Sequence, residues 1–123
     1  MSLDVYLEEI YTLTHCEECE QPHEHTRSKE LYHGNVTHNL VLMAQLAGLY
    51  DCLWRPDEHG MTLACHLIDP LSKGYAELNK NFEKYYEMNP TNGWGSLDGL
   101  IQFVNNYLDA CKKYPNAHVR VCR

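Results

Sequence analysis

The chain of 123 residues lacks any apolar stretch approaching the roughly 20 residues that a membrane-spanning helix needs. Its first residues also lack the basic and apolar regions of a secretory signal peptide, because an acid already stands at Asp4. We therefore expect a cytoplasmic protein with no membrane partner, in which the six cysteines are thiols or metal ligands rather than disulfides. The length corresponds to one domain over residues 1–123.

Positive charge is also scarce, since ten lysines and arginines stand against 17 acidic residues and give a formal net charge of −7. The basic residues are scattered along the chain. A groove for nucleic acid needs clustered Lys and Arg, so the sequence predicts no nucleic-acid partner. Phosphate-binding loops, dinucleotide fingerprints and Gly-x-Ser-x-Gly motifs are absent as well. The sequence therefore predicts no catalytic residue and favours a protein that is not an enzyme.

Three stretches of the chain show the period-two alternation of half-buried strands. The first contains Leu3, Val5 and Leu7, the second covers 29–36 and the third covers 117–122. Strands at both ends of a small chain, with helical segments between them, predict an α+β fold. We expect a three-stranded antiparallel sheet, made of two N-terminal strands and the C-terminal strand, packed against about three helices.

Three segments between these strands have the 3.6-residue spacing of amphipathic helices. The first is expected to bury four residues, namely Leu40, Met43, Leu46 and Ala47. The second covers about 62–81, with a kink or break expected at Pro70. The third begins after the N-cap residue Ser96 and ends before Pro115. The helices are expected to cover one face of the sheet.

A polar loop at about 14–27 separates the two N-terminal strands and carries four candidate metal ligands, Cys16, Cys19, His23 and His25. Two cysteines separated by two residues can bind one metal from a single turn, and histidines two apart face the same side of an extended chain. Four such ligands match tetrahedral zinc and would close its coordination shell, which favours a structural zinc over a catalytic one. The alternative is a polar loop that carries no metal.

Three turns, the first at 35–39, the second at 53–58 and the third at 92–95, carry polar and aromatic residues beyond what a core requires. The candidate ligand-binding residues in them are Asn35, Thr37, His38, Asn39, Trp54, Arg55, Glu58 and Trp94. A helix N-terminus and a planar guanidinium suit an anion, and the two indole rings offer stacking faces. The sequence thus predicts a pocket for a small anionic or nucleotide-like ligand. In the alternative interpretation, these residues only cap helices, form ion pairs or fill the core.

Three further cysteines, Cys52, Cys65 and Cys111, lie on predicted helices or apolar turns. Cysteines in such places are usually buried, and burial in apolar surroundings makes a thiol unreactive. We expect all three to be buried and inert, so the sequence gives little support to catalysis by a cysteine nucleophile.

Four short motifs resemble a family of small proteins encoded in phage and bacterial genomes. They are Asn-x-Thr-His-Asn-Leu at 35–40, Ala-Gly-Leu-Tyr at 47–50, Leu-Trp-Arg-Pro-Asp-Glu at 53–58 and Asn-Gly-Trp-Gly at 92–95. The resemblance extends over nearly the whole chain and implies no assigned activity and no catalytic residue. It implies a phage protein acting in the host cytoplasm. Under this resemblance the Cys/His loop is a variable part of the family pattern, which favours a structural role for the loop over a shared mechanism.

Three functional classes stay open on the sequence alone. The first is a binding protein for a small anionic ligand. The second is a protein–protein interaction or inhibitor module with an acidic surface, motivated by Glu17, Glu18, Glu20 and Glu24. The third and least favoured is a small zinc-dependent hydrolase with an open metal position. The aromatic turns also suit a homo-oligomer interface, where Trp, Tyr and Arg are enriched.

Overall fold

The computed structural model describes residues 2–13 and 25–123. Its sheet contains β1 (Ser2–Leu13), β2 (His25–Thr37) and β3 (His118–Cys122). The strand order is β2-β1-β3, and both neighbours pair with β1 in the antiparallel sense. The predicted α+β fold, with two N-terminal strands and the C-terminal strand in one sheet, is confirmed.

The described residues between β2 and β3 form five α-helices and two short 3-10 helices. The α-helices are α1 (Val41–Leu46), α2 (Tyr50–Trp54), α3 (Ala64–Lys80), α4 (Phe82–Tyr86) and α5 (Leu97–Lys113). The 3-10 helices cover His38–Leu40 and Pro56–His59. The two long helices, α3 and α5, are 17 residues each and pack against one another. Among the residues described here, no helix has the length and apolar character needed to cross a bilayer.

The core lies between the helices and one face of the sheet. Alternate residues of β1, namely Leu3, Val5 and Leu7, are fully buried, as their period-two spacing predicts. The predicted last helix is confirmed as α5, whose N-cap Ser96 accepts a hydrogen bond from the backbone N–H of Gly99 at 3.1 Å. Burying this face leaves the intervening residues of β1 on the opposite side of the sheet.

Two details of the helices differ from the sequence-based expectation. Leu46 is 58% exposed, although it was expected in the core, whereas Met43, Ala44 and Ala47 are buried. Leu40 belongs to a separate 3-10 turn, so its spacing does not set the phase of α1. The helix α3 continues without a break through Pro70. Burial of the flanking leucines, such as Leu67 and Leu71, offsets the backbone hydrogen bond that proline cannot donate.

The β1–β2 hairpin extends past β3 as a two-stranded arm. The strand β3 pairs with β1 only from Asp4 to Glu8, whereas β2 pairs with β1 as far as Leu13. At the base of the arm the register shifts between Leu7 and Glu8, which leaves Leu31 of β2 without an opposite residue. We use "the arm" for residues 9–13 of β1 and 25–29 of β2. A two-stranded ribbon alone is only marginally stable in water.

Candidate functional site

The predicted zinc ligands belong to the segment that joins β1 to β2 in the sequence. Cys16, Cys19 and His23 lie outside the described residues, and for His25 only the backbone is described, as the first residue of β2. His25 pairs with Leu13, so the two residues that flank the segment 14–24 lie on adjacent strands. The expected loop at 14–27 overlaps β2 by three residues. Across residues 2–13 and 25–123, no cluster of three or more His, Cys, Asp or Glu side chains could hold a metal ion.

The structure brings the first predicted turn against the third. Thr37 caps the 3-10 helix, its Oγ1 accepting a hydrogen bond from the backbone N–H of Asn39 at 3.3 Å. The Nδ2 of Asn39 donates to the carbonyl oxygen of Trp94, also at 3.3 Å. Gly95 lies so close to Thr37 that an added Cβ would stand 2.5 Å from its Cγ2. The Trp94 side chain itself is 70% exposed.

The first turn also meets the second. The rings of His38 and Trp54 lie 6.1 Å apart between centroids, tilted by 54°. Trp54 ends α2, is only 3% exposed and stacks on Tyr50 at 5.9 Å. Its indole ring is therefore part of the core and does not present a stacking face to solvent. We call the three turns together the turn cluster, with Trp54, which is buried, and His38, which is half-buried, at its centre.

Arg55 is paired locally at the edge of the turn cluster. Its Nε donates to the hydroxyl of Tyr50 at 3.3 Å and lies 3.4 Å from the Oε2 of Glu58. The neighbouring Asp57 forms an ion pair with Arg123 at 2.8 Å. The guanidinium expected to bind an anion thus has a carboxylate nearby, and a ligand would compete with Glu58 for it.

Two buried nitrogens at the centre of the turn cluster have no hydrogen-bond partner within the described part of the chain. They are the Nε2 of His38 and the Nε1 of Trp54. Buried polar atoms are nearly always paired, so an unpaired one calls for an explanation. The indole N–H can only donate, whereas the imidazole nitrogen donates or accepts according to its tautomer. Each nitrogen could therefore form a hydrogen bond with an oxygen atom of a bound molecule.

The outer face of the sheet carries a second cluster, which the sequence reading did not single out. Tyr6 lies opposite His33 on β2 and Arg120 on β3. The His33 ring stacks on Tyr6 with centroids 4.7 Å apart and planes within 11°, and the guanidinium carbon of Arg120 lies 3.9 Å from the Tyr6 centroid. We call these three residues the sheet-face row.

The two carboxylates beside the sheet-face row, those of Asp4 and Glu8, are both paired. The Oδ1 of Asp4 lies 2.9 Å from the Nε2 of His33 and accepts a hydrogen bond of the same length from Asn35. Arg120 donates to the Oε1 of Glu8 at 3.0 Å. The hydrogen bond with His33, and next that from Asn35, lowers the pKa of Asp4. The sequence does show that Asp4, Tyr6 and Glu8 alternate with the apolar residues of β1. It does not show which residues of β2 and β3 lie opposite them, because that depends on the strand register.

The four cysteines in the described part of the chain divide into two buried and two exposed ones. Cys52 and Cys111 are buried, and burial raises the pKa of each thiol to about 12, which makes both unreactive as predicted. Cys65 is exposed, so the expectation that it is buried is wrong. The buried residues Ala64 and Leu67 mark the core side of α3. Cys65 follows Ala64 by one residue and precedes Leu67 by two, so the turn of the helix directs it away from the core side.

No protein-family model, curated protein or solved structure matches this chain. The resemblance to a family of phage and bacterial proteins therefore stays a prediction. Function has to be inferred from the chemistry of the turn cluster, the arm and the outer face of the sheet.

Proposed function

We propose that the chain is a small non-enzymatic binding protein, of phage type, that takes up a small anionic or nucleotide-like ligand at the turn cluster. The single observation that carries this proposal is the pair of buried, unpartnered nitrogens of His38 and Trp54. Both residues also belong to the set that the sequence selects as ligand-binding. A phosphate or carboxylate oxygen accepts a hydrogen bond from the indole N–H and from an Nε2-protonated imidazole.

The energetics favour such a ligand. A buried donor without a partner costs about 1–3 kcal/mol, and a ligand oxygen that accepts from it recovers that amount. Both nitrogens are buried, so binding needs a local opening of the turn cluster. We expect the Trp94 turn to move, because the hydrogen bond that joins its backbone to Asn39 is 3.3 Å long. Arg55 then exchanges Glu58 for the anion.

The test is calorimetric titration with ATP, inorganic phosphate and citrate. The variant Trp54→Phe keeps an aromatic ring and removes the N–H, and we expect it to weaken binding about tenfold, or 1.4 kcal/mol. The matched control is Tyr107→Phe, which removes another buried donor without a partner among the described residues, located on α5 and outside the three turns. Equal losses in both variants, or no binding of any of the three anions at millimolar concentration, would contradict the proposal.

We also propose a structural zinc bound by Cys16, Cys19, His23 and His25. Two facts support it: the strand ends on either side of the segment are paired through Leu13 and His25, and the arm lacks a third strand among the described residues. Metal binding by these residues would supply the stability that a two-stranded ribbon lacks. The zinc would hold the strand ends together and would take no part in a reaction.

Native mass spectrometry of the untagged protein measures this directly and reports oligomeric state in the same spectrum. We expect one zinc per chain that is absent from Cys16→Ser and retained by Cys65→Ser, a control at an exposed cysteine outside the arm. A folded wild-type protein without metal would contradict the zinc proposal and would not affect the ligand proposal.

A second candidate function is protein–protein interaction through the outer face of the sheet. The sheet-face row favours it, because three planar groups are held in fixed positions on a face with exposed His33, Asn35 and Arg120. Aromatic residues and arginine are the usual anchors of such interfaces. A defined protein partner that is lost with Tyr6→Ser and kept with Trp94→Ser, and whose binding weakens with salt, would establish this function instead.

A further inference from the structure

The edge of β3 that faces away from β1 is covered by residues 62–65, which we call the edge segment. Leu63 and His118 form an antiparallel bridge between the edge segment and β3. Three backbone hydrogen bonds of 2.9 Å join the edge segment to the chain around β3, namely Val119 N–H to Thr62, Ala64 N–H to Ala117 and Cys65 N–H to Pro115. The start of α3 therefore closes a sheet edge that β3 would otherwise expose.

The edge segment is held at the start of α3 by the side chain of His66, the third residue of that helix. The N-cap residue, Leu63, has no side-chain oxygen that could cap the helix. Instead, the Nδ1 of His66 accepts hydrogen bonds from the backbone N–H groups of Thr62 and Leu63, both at 3.2 Å. In a capping box, Glu or Gln has this role at the third helical position. His66 thus satisfies two backbone donors where the edge segment enters α3.

The protonation state of this imidazole follows from its two partners. A backbone N–H can only donate, so the Nδ1 of His66 must be unprotonated and the ring carries its proton on Nε2. A charged imidazole has a proton on Nδ1 as well, which removes the acceptor. It also sets a positive charge at a helix N-terminus, where the helix dipole disfavours cations. The cap is therefore present when the imidazole is neutral and lost when it is charged.

We propose that His66 is an acid-sensitive latch, whose protonation releases the edge segment from β3 and opens that edge of the sheet. Histidine is the side chain that ordinarily changes its charge between pH 5 and 8, and His66 is exposed to solvent. Within the edge segment only Ala64 is buried, so its release exposes little apolar surface. Segments with few buried apolar contacts open locally, without unfolding of the core. The latch therefore acts on the sheet edge alone.

Other titratable and charged groups lie on the elements that meet at the edge segment. They are Asp57, Glu58 and His59 of the second 3-10 helix, Cys65 and Asp69 of α3, Cys111, Lys112 and Lys113 of α5, and Tyr114, His118 and Arg120 at β3. Five of them pair with residues other than His66, namely Asp57 with Arg123, Glu58 with Arg55, His59 with Asp51, Asp69 with Lys73 and Arg120 with Glu8. In the described part of the chain, the hydrogen bonds of the His66 ring go to Thr62 and Leu63 alone. The competing source of a pH response is His118, which is exposed and lies opposite Leu63.

The test is amide hydrogen exchange, measured by NMR at pH 7.5 and pH 5 and corrected for the intrinsic exchange rate. The reporters are the N–H groups of Ala64, Cys65 and Val119, which join the edge segment to β3. His66→Gln keeps an acceptor that does not titrate, whereas His66→Ala removes the acceptor. We expect the wild type to match His66→Gln at pH 7.5 and His66→Ala at pH 5. Opening at the reporters should rise about tenfold on acidification, because a cap is lost and a cation is placed at the helix N-terminus.

The matched control is His118→Gln, which removes the other histidine at this edge and should keep the wild-type response to pH. The amides of Val104 and Leu108, which are buried on α5, should show no change and so report that the opening is local.

The proposal is overturned by wild-type reporters that are protected equally at both pH values, or by a response that persists in His66→Gln or disappears in His118→Gln. It is also overturned if Val104 and Leu108 respond as strongly as the reporters, since the whole fold would then be acid-sensitive. If His66→Ala does not fold, the comparison of the wild type with His66→Gln decides. These measurements use neither an anion nor a metal, so their outcome is independent of the proposed function.

Discussion

The turn cluster and the sheet-face row differ in the burial and the hydrogen bonding of their polar groups. At the turn cluster, the nitrogens of His38 and Trp54 are buried and have no partner among the described residues. On the sheet face, Asp4 and Arg120 are in contact with solvent and each has a polar partner in place. A buried polar group is costly to leave unpaired, whereas an exposed pair adds little to stability. Unmet hydrogen-bonding capacity, rather than the number of polar residues, therefore distinguishes the better candidate for a ligand site.

The largest effect should come from the buried centre of the turn cluster. Trp54→Ala removes a side chain that is 3% exposed, and we expect it to lower the free energy of unfolding by about 3–5 kcal/mol. Trp94→Ala is the matched control, because that side chain is 70% exposed and its loss should change stability by less than about 0.5 kcal/mol. Urea unfolding followed by circular dichroism measures both. A large loss with Trp94→Ala would show that the exposed turn is a structural element.

A smaller effect is expected at the contact between the first and third turns. Gly95→Ala introduces a side chain at φ +94°, at a cost of about 1–2 kcal/mol, and its Cβ also meets the Thr37 side chain. Gly93→Ala has a similar φ of +77° but meets no atom within 4 Å. Thermal unfolding should place Gly93→Ala between wild type and Gly95→Ala. Equal losses would mean that the close approach to Thr37 contributes nothing.

The smallest effect belongs to the sheet face and depends on pH. The pKa of Asp4 in the folded protein lies below its ordinary value of 3.8, so the carboxylate stabilises the fold fully above that value. This contribution is lost as the pH falls through the lowered pKa. The stability difference between wild type and Asp4→Asn should therefore shrink as the pH falls below about 4. A difference that grows below about pH 4 would place the acid-sensitive group elsewhere.

The architecture of the sheet was predictable because burial leaves a periodic trace in the sequence. Leu3, Val5 and Leu7 mark the inner face, and Ser96 with Pro115 bounds the last helix in both the prediction and the structure. Short elements were less predictable. The 3-10 turn before α1 changes the helical phase, so Leu46 lies at the surface. Local patterns cannot show where one short helix ends and the next begins.

The candidate sites were predictable only in part, for a different physical reason. The composition of the turns identified His38 and Trp54, but their contact joins residues 16 positions apart through tertiary packing. The sheet-face row is less visible still, because Arg120 lies opposite Tyr6 only once β3 takes its register on β1. Sequence patterns indicate which residues are available, whereas the register of the strands decides which of them meet.

The difference in length between β1 and β3 makes the arm a natural site for grafting. Five residues of β1 continue beyond the last pair with β3, a distance of roughly 17 Å at 3.4 Å per residue. A sequence inserted between Leu13 and His25 enters and leaves through neighbouring strands, away from Leu3, Val5 and Leu7 in the core. The scaffold can therefore carry loops of different length and chemistry at this end while the helices and the proximal sheet keep their packing.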